Sequence, residues 1–372
     1  MDHDQFIIMA QASTKDVEYL AQLKNNLGEA NFKSLAFKTL NRFIDNKEIV
    51  SKVMDIGTHN WELSLILEME KESWFLESLL YLTRSLRSTM IENKEKGVSI
   101  IEQMYPDIHE SLACYHDSFF LQQEAQSQNP RHTVRAYFRM LGDTVESTHK
   151  PHTLLIYRML SCNPSNQLYG RPEVVSFGKA VSSLLEVSEL EKMYKKKLFD
   201  VSLSQWRNIA QHSNYQYNKR SEKITCTYGL NNSQTVDFTV EQLLELLFAL
   251  NKLQALQKIA VSFCMIEFMK DIQFDKYGKI ELTVETIISQ IGNGIGLEGF
   301  KVLSVTNDSG SCVFKIEDTA NKGLASFKQM VNRLAHFMTM LKEAGHEPVF
   351  ELFTLQGQKL TEARVMTRQR HG

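Results

Sequence analysis

The chain has 372 residues, 43% of them hydrophobic, with 42 Lys+Arg against 44 Asp+Glu and a net charge of -2. This length leads us to expect two or three domains with ordinary packed cores. Near-neutral charge excludes a global basic field, so any nucleic-acid surface has to be a local patch. The five cysteines (114, 162, 226, 264, 312) are scattered and form no CxxC pair. That pattern indicates neither a disulfide framework nor a zinc knuckle, and reduced thiols in a cytoplasmic setting fit it best. The opening "MDHDQFIIMAQAS" places acidic residues before a very short apolar run, unlike a secretory signal. No apolar run approaches the roughly 18 residues of a membrane span.

In chain order, residues 1–125 read as an N-terminal helical region. "VEYLAQLKNNLG" and "SWFLESLLYLTRSLRSTMIEN" carry apolar residues at helical spacing, and Gly28 fits a helix stop. The polar stretch 122–132, ending in a proline, is the candidate linker. A second helical region spans 131–268. Its long elements are "VRAYFRMLGDTVESTH", "FGKAVSSLLEVSELEKMYKKKLF" and the apolar 241–268. Between the last two lie a helix expected over 203–217 and "KITCTYGLNNSQTVDFTV", which reads as a β-hairpin around a turn-forming GLNNSQ. From 272 to 372 the pattern is that of a small α+β domain. "KIELTVETI" alternates like a strand, 300–319 and 348–365 read as hairpins, and the helix between them buries Phe327, Met330, Val331, Leu334, Met338 and Leu341 on one face.

The segment "SLSQWRNIAQHSNYQYNK" (202–219) concentrates chemistry. Ser202 and Gln205 have capping-box spacing, with Val201 and Trp206 placed for a hydrophobic staple, so a helix starts near 203. In that register Trp206, Ile209 and Ala210 share the core side. Asn208 and His212 are i,i+4 neighbours on the opposite face, and Arg207 and Gln211 form a second such pair. A permanent cation, an amide and a group that titrates near neutral pH thus share a polar face. A solvated helix face is the ordinary alternative.

Arg207-Asn208-Ile-Ala-Gln-His212 has the form R-N-x-x-x-H. It resembles the signature of the HEPN superfamily of helical nucleotide- and RNA-processing domains, whose looser form is Arg, four to six residues, His. The loose form arises by chance roughly once in a chain of this composition, and the Asn lowers that rate about twentyfold. Arg364 to His371 also satisfies the loose form, and we read that match as accidental. The order of motif helix, hairpin and long final helix is similar to many family members. The resemblance covers about 133–268.

It implies a mainly α fold: an HEPN-like helical bundle with a short β-hairpin before its last helix, followed by the α+β domain. It also implies a metal-independent endoribonuclease that needs no cofactor, acting as a homodimer in which two motifs face one cleft. Arg207, His212 and Asn208 would be catalytic. Gln211, Tyr215, Tyr217, Lys195, Lys196 and Lys197 would contact RNA. Such domains recur in toxin–antitoxin, abortive-infection and CRISPR-associated systems, so RNA cleavage in growth arrest or antiviral defence is the expectation, with the flanking regions sensing a trigger or binding an inhibitor. The His-x-Tyr ending of one toxin subfamily is absent, since His212-Ser-Asn-Tyr215 stands in its place. The alternative is a non-catalytic HEPN module that binds RNA, a nucleotide or a partner protein.

Other motifs carry less. Gly294-Ile-Gly-Leu-Glu-Gly299 satisfies GxGxxG but lacks the strand–turn–helix setting of a dinucleotide site. His149 and His152 flank Lys150-Pro151 in an expected loop and have no ligand-spaced partner, so no metal is expected. Asp143 and Glu146 share a helix face, where either could pair with a basic residue of the bundle. The Met-rich helix 327–341 reads as core filler.

Overall fold

The computed structural model describes residues 3–124, 129–194, 200–278, 282–308 and 310–364. The first helices are α1 (His3–Asp16), α2 (Glu18–Leu27), α3 (Glu29–Leu40), α4 (Lys47–Ile56) and α5 (Asn60–Glu68). Next come α6 (Ser73–Glu92), α7 (Lys94–Glu124), α8 (Pro130–Asp143), a π turn (Thr144–His149) and α9 (Lys150–Ser161). Short helices α10 (Phe177–Leu184), α11 (Ser188–Tyr194) and α12 (Leu203–Gln211) lead into strands β1 (Tyr215–Asn218), β2 (Lys223–Tyr228) and β3 (Gln234–Phe238). The long α13 (Val240–Glu267) follows, then α14 (Val284–Leu297), β4 (Lys301–Asp308), β5 (Ser311–Glu317), α15 (Gly323–Glu343), β6 (Glu347–Phe353) and β7 (Lys359–Arg364). The fold class is as expected, mainly α with a small α+β sheet unit. Among the described residues no helix is long and apolar enough to cross a membrane.

Two compact units divide the chain, one from Met1–Lys71 with Glu281–Gly372 and the other from Glu72–Ile280. This differs from the expected borders of 1–125, 131–268 and 272–372. The N-terminal helices do not stand as a region of their own: α1–α5 join the C-terminal sheet, and α6 and α7 join the central bundle. Periodicity shows that a helix has an apolar face but not which element covers it.

In the first unit, β4-β5-β6-β7 form a mixed sheet in that order. The β4/β5 and β6/β7 pairs are antiparallel, and β5/β6 are parallel through the α15 crossover. The expected hairpins are thus present. In α15, Phe327, Met330, Leu334, Met338 and Leu341 are buried, as core filler should be, while Val331 is only half-buried at the margin of that face. The stretch read as a strand, "KIELTVETI", is different. Residues 279–281 lie outside the described residues, and from Val284 the chain is helical, with Thr283 as N-cap accepting from Thr286 N at 3.3 Å. Ile287, Ile288, Ile291 and Ile295 are buried at helical spacing, which outweighs the β-branched alternation. The glycines of this helix serve packing. A Cβ on Gly292 would lie 2.8 Å from Ala10 O, and one on Gly296 2.7 Å from Thr14 O. Their absence lets α1 sit against α14, where Gln11 Nε2 also donates to Leu303 O at 2.9 Å. The GxGxxG stretch is a helix–helix contact surface, not a nucleotide loop.

The second unit is a bundle around α13. Thr239 and Gln242 cap this helix reciprocally, and Leu246, Leu250, Leu253 and Ile259 are buried on it. The expected hairpin is there as β2 and β3, and β1 adds a third antiparallel strand in the order β1-β2-β3. Its presence corrects the expected helix 203–217, which stops at Gln211. A second correction concerns His149 and His152. They lie in no loop but in the π turn and α9, fully buried. Pro151 cannot donate to the carbonyl four residues back and would clash with it in a regular helix. The wider π turn directly before it relieves both problems. His149 Nδ1 then donates to Gln257 Oε1 at 3.1 Å, and Gln257 Nε2 donates to Thr153 Oγ1 (2.9 Å) and Tyr194 Oη (2.8 Å). His152 Nδ1 donates to Thr148 O at 2.9 Å.

Candidate functional site

Helix α12 is seated by its apolar side. Val201, Leu203, Trp206 and Ile209 are fully buried, while Ala210 is partly so. The Trp206 ring meets Phe238 of β3 edge-on at 5.8 Å, and Phe238 in turn lies 6.4 Å from Phe138 of α8. The N-terminus is half of the expected capping box. Ser202 Oγ accepts from Gln205 N at 3.4 Å, but Gln205 Oε1 accepts from Gly229 N (3.3 Å) and does not return to Ser202. Gln205 thus ties the start of the helix to the β2–β3 turn.

The C-terminus sets the position of His212. Ser213 N donates to Ala210 O (3.3 Å) and Asn214 N to Ile209 O (2.9 Å), the paired bonds of a Schellman motif. Ser213 takes the left-handed conformation this requires, with φ 54°. His212 is therefore the C-cap, exposed, and its imidazole makes no hydrogen bond among the described residues. The chain then turns directly into β1, aided by Thr227 N donating to Asn214 O at 2.9 Å.

Arg207 is half-buried and held. Its Nε donates to Glu146 Oε2 at 2.7 Å and its Nη1 to Asn208 Oδ1 at 3.4 Å. Glu146 projects from the π turn and also accepts from Lys150 Nζ at 2.5 Å. Burial by itself raises the Glu146 pKa. The hydrogen bonds from Lys150 and Arg207 outweigh that effect, and the carboxyl titrates below its ordinary range. Arg207, Asn208 and Lys150 line a polar hollow between α12 and the start of α10, with Ser176 and Ser204 on its walls. Two Nη2 protons and one on Nη1 of Arg207 have no protein acceptor among the described residues.

The structure brings Arg207, Asn208, Glu146 and Lys150 together but joins none of them to the His212 side chain. Gln211 and Ser213 line a second hollow, against α8. Tyr215 is not free to stack on a base with both faces. Its ring lies on Phe138, centroids 3.8 Å apart and 9° from parallel, and burial raises its pKa. Tyr217, two residues on along the same strand face, is half-buried opposite Ile224. Lys195, Lys196 and Lys197 lie outside the described residues, as does the tail from 365 that carries His371. Both carboxylates expected to meet a basic residue do so: Glu146 meets Arg207, and Asp143 forms an ion pair with Arg139 of its own helix at 3.7 Å. The i,i+4 spacing of Glu146 and Lys150 was the available signal for this network. Its link to Arg207, 61 residues away, was not in the sequence pattern.

The chain matches no family model, no curated protein and no solved structure in the three comparisons made.

Proposed function

We propose that the protein is a metal-independent endoribonuclease of HEPN type, acting as a homodimer in growth arrest or antiviral defence in the cytoplasm. The observation that carries this reading is the pre-positioned guanidinium of Arg207. Glu146 holds it by one edge, leaving Nη donors that can serve a phosphate. His212 takes the proton of an RNA 2′-hydroxyl as the 2′ oxygen bonds to phosphorus. The P–O5′ bond breaks, and the leaving oxygen receives a proton from the His212 of the second copy. Arg207 carries the charge that builds on the phosphoryl oxygens, and Asn208 steadies the guanidinium. The products are a 2′,3′-cyclic phosphate and a 5′-hydroxyl. DNA lacks the nucleophile. Within one chain Arg207 lines a hollow that His212 does not reach, so we infer an isologous pairing of two α12 faces that supplies a complete site. The five cysteines are free thiols, which fits a reducing compartment.

A second reading, a non-catalytic module binding RNA, a nucleotide or a protein, is favoured by the Arg207–Glu146 pair itself, which is also a structural ion pair. The test is cleavage of single-stranded RNA in EDTA. Wild type should cut, while Arg207→Ala and His212→Ala should each abolish cutting and keep the dimer and its melting temperature. Persistent cutting by both variants, or a monomer at micromolar concentration, overturns the catalytic assignment. Binding without cutting supports the second reading.

A further inference from the structure

We propose that the groove between α8 and the C-terminal end of α12 binds the phosphate backbone of a single-stranded RNA and leads it to His212. This rests on the reading above that RNA is the substrate.

The sequence places His132, Arg135 and Arg139 at helical spacing on α8, and all three are exposed. They fall on one side of the helix and line one groove, whose opposite wall is Gln211 and Ser213, the residues on either side of His212. The rise from 132 to 139 is about 10 Å, enough to span neighbouring phosphates of a single strand. Two guanidiniums and an imidazole along that length form a local basic track in a chain of nearly neutral charge. Neutralisation within the groove is partial. Asp143, the one carboxylate on its walls, forms an ion pair with Arg139 at 3.7 Å, while Arg135 has no carboxylate partner among the described residues.

The floor is shaped for depth. A Cβ on Gly142 would come within 3.2 Å of Ala210 Cβ and 3.3 Å of Gln211 Nε2, so the glycine lets α8 and α12 close at the bottom. Above it the stacked Phe138 and Tyr215 rings give a rigid wall. Because the helices meet at Gly142 and Ala210, the arginines and the His212 end of α12 are held in fixed relation. A chain of phosphates lying on Arg135 and Arg139 runs toward the end of α12, where a 2′-hydroxyl is needed.

The experiment uses the full chain and a fluorescent single-stranded oligonucleotide with 2′-O-methyl riboses, which binds but offers no nucleophile. Fluorescence anisotropy over a salt series should show the Arg135→Glu/Arg139→Glu variant binding at least tenfold more weakly. The slope of log K against log salt should be shallower by about 1.4, two phosphate contacts at ~0.7 each. A control reversing exposed Arg84 and Lys270, which lie outside the groove, should bind like wild type. Arg135→Gln/Arg139→Gln, which adds no negative charge, repeats the test if the reversal variant melts early. Equal affinity and slope in wild type and the groove variants overturn the proposal, as does a wild type that binds no RNA. Cleavage assays on unmodified RNA separate the two readings. A wild type that binds through the groove and never cuts leaves the groove standing and removes the ribonuclease. Cutting with an unchanged KM in the groove variant does the reverse.

Discussion

Arg207 on α12 and Glu146 on the π turn meet through a single edge, Nε to Oε2 at 2.7 Å, and Lys150 completes the triad on the other carboxylate oxygen. Each side chain is about a third exposed, so solvent screens the pair and its worth to folding is under ~1 kcal/mol. Its consequence is orientation. Glu146→Ala should shift the melting temperature little and lower kcat for RNA cleavage about tenfold or more with little change in KM. Glu146→Gln, which keeps an acceptor for Nε, should recover part of that loss. Equal kcat in wild type and Glu146→Ala would show that the guanidinium needs no partner to hold it.

Ser213 occupies a left-handed position, φ 54°, where a side chain costs about 1 kcal/mol and glycine costs nothing. Ser213→Gly should raise stability in urea unfolding by roughly 0.5–1 kcal/mol. The Schellman bonds that place His212 should persist. A destabilised variant would show that Ser213 contributes through its hydroxyl, contrary to this account.

Gly296 gives an opposite sign to the helix-propensity expectation. In an exposed helix, Gly→Ala stabilises by roughly 1 kcal/mol. Here the new Cβ would lie 2.7 Å from Thr14 O and 2.9 Å from Val17 Cγ2, so α1 must move away. Gly296→Ala should destabilise by about 1–3 kcal/mol, read as a fall in melting temperature. A rise would refute the close packing of α1 on α14.

His149 and His152 make the bundle acid-sensitive. Burial lowers their pKa values to about 3 and about 4. The unfolded chain takes up these protons near pH 6.5 and the native state does not, so stability falls as pH drops below 6.5. At pH 5 the two together cost on the order of 4 kcal/mol. Urea midpoints at pH 7 and pH 5 should differ accordingly, and His152→Phe should flatten the dependence. The same slope in wild type and variant would exclude His152 as a source.

Much of this protein was written locally. The register of Trp206 and Ile209 inward with Arg207, Asn208 and His212 away from the core follows from side-chain spacing along one helix, and the structure keeps it. The long α13, the β2–β3 hairpin and the C-terminal hairpins were equally legible, because each rests on contacts between residues near in sequence. The end of α12 was not. A serine in place of glycine gave no stop signal, and the strand pairing of Tyr215 with Cys226 that competes with helix lies across a turn. The π turn was hidden as well, since the stretch before Pro151 reads as either loop or helix until packing on Gln257 decides it.

What the sequence by itself determined is the set of amphipathic elements and the chemistry carried on the polar face of α12. Only the tertiary structure decided which elements share a core, joining α1–α5 to the C-terminal sheet through glycines whose role is close approach. It also decided that Glu146 reaches Arg207 and that three basic residues of α8 face the end of α12. The physical reason is range. Periodicity encodes which side of an element is apolar, while ion pairs and helix contacts depend on loop closure between residues tens to hundreds of positions apart.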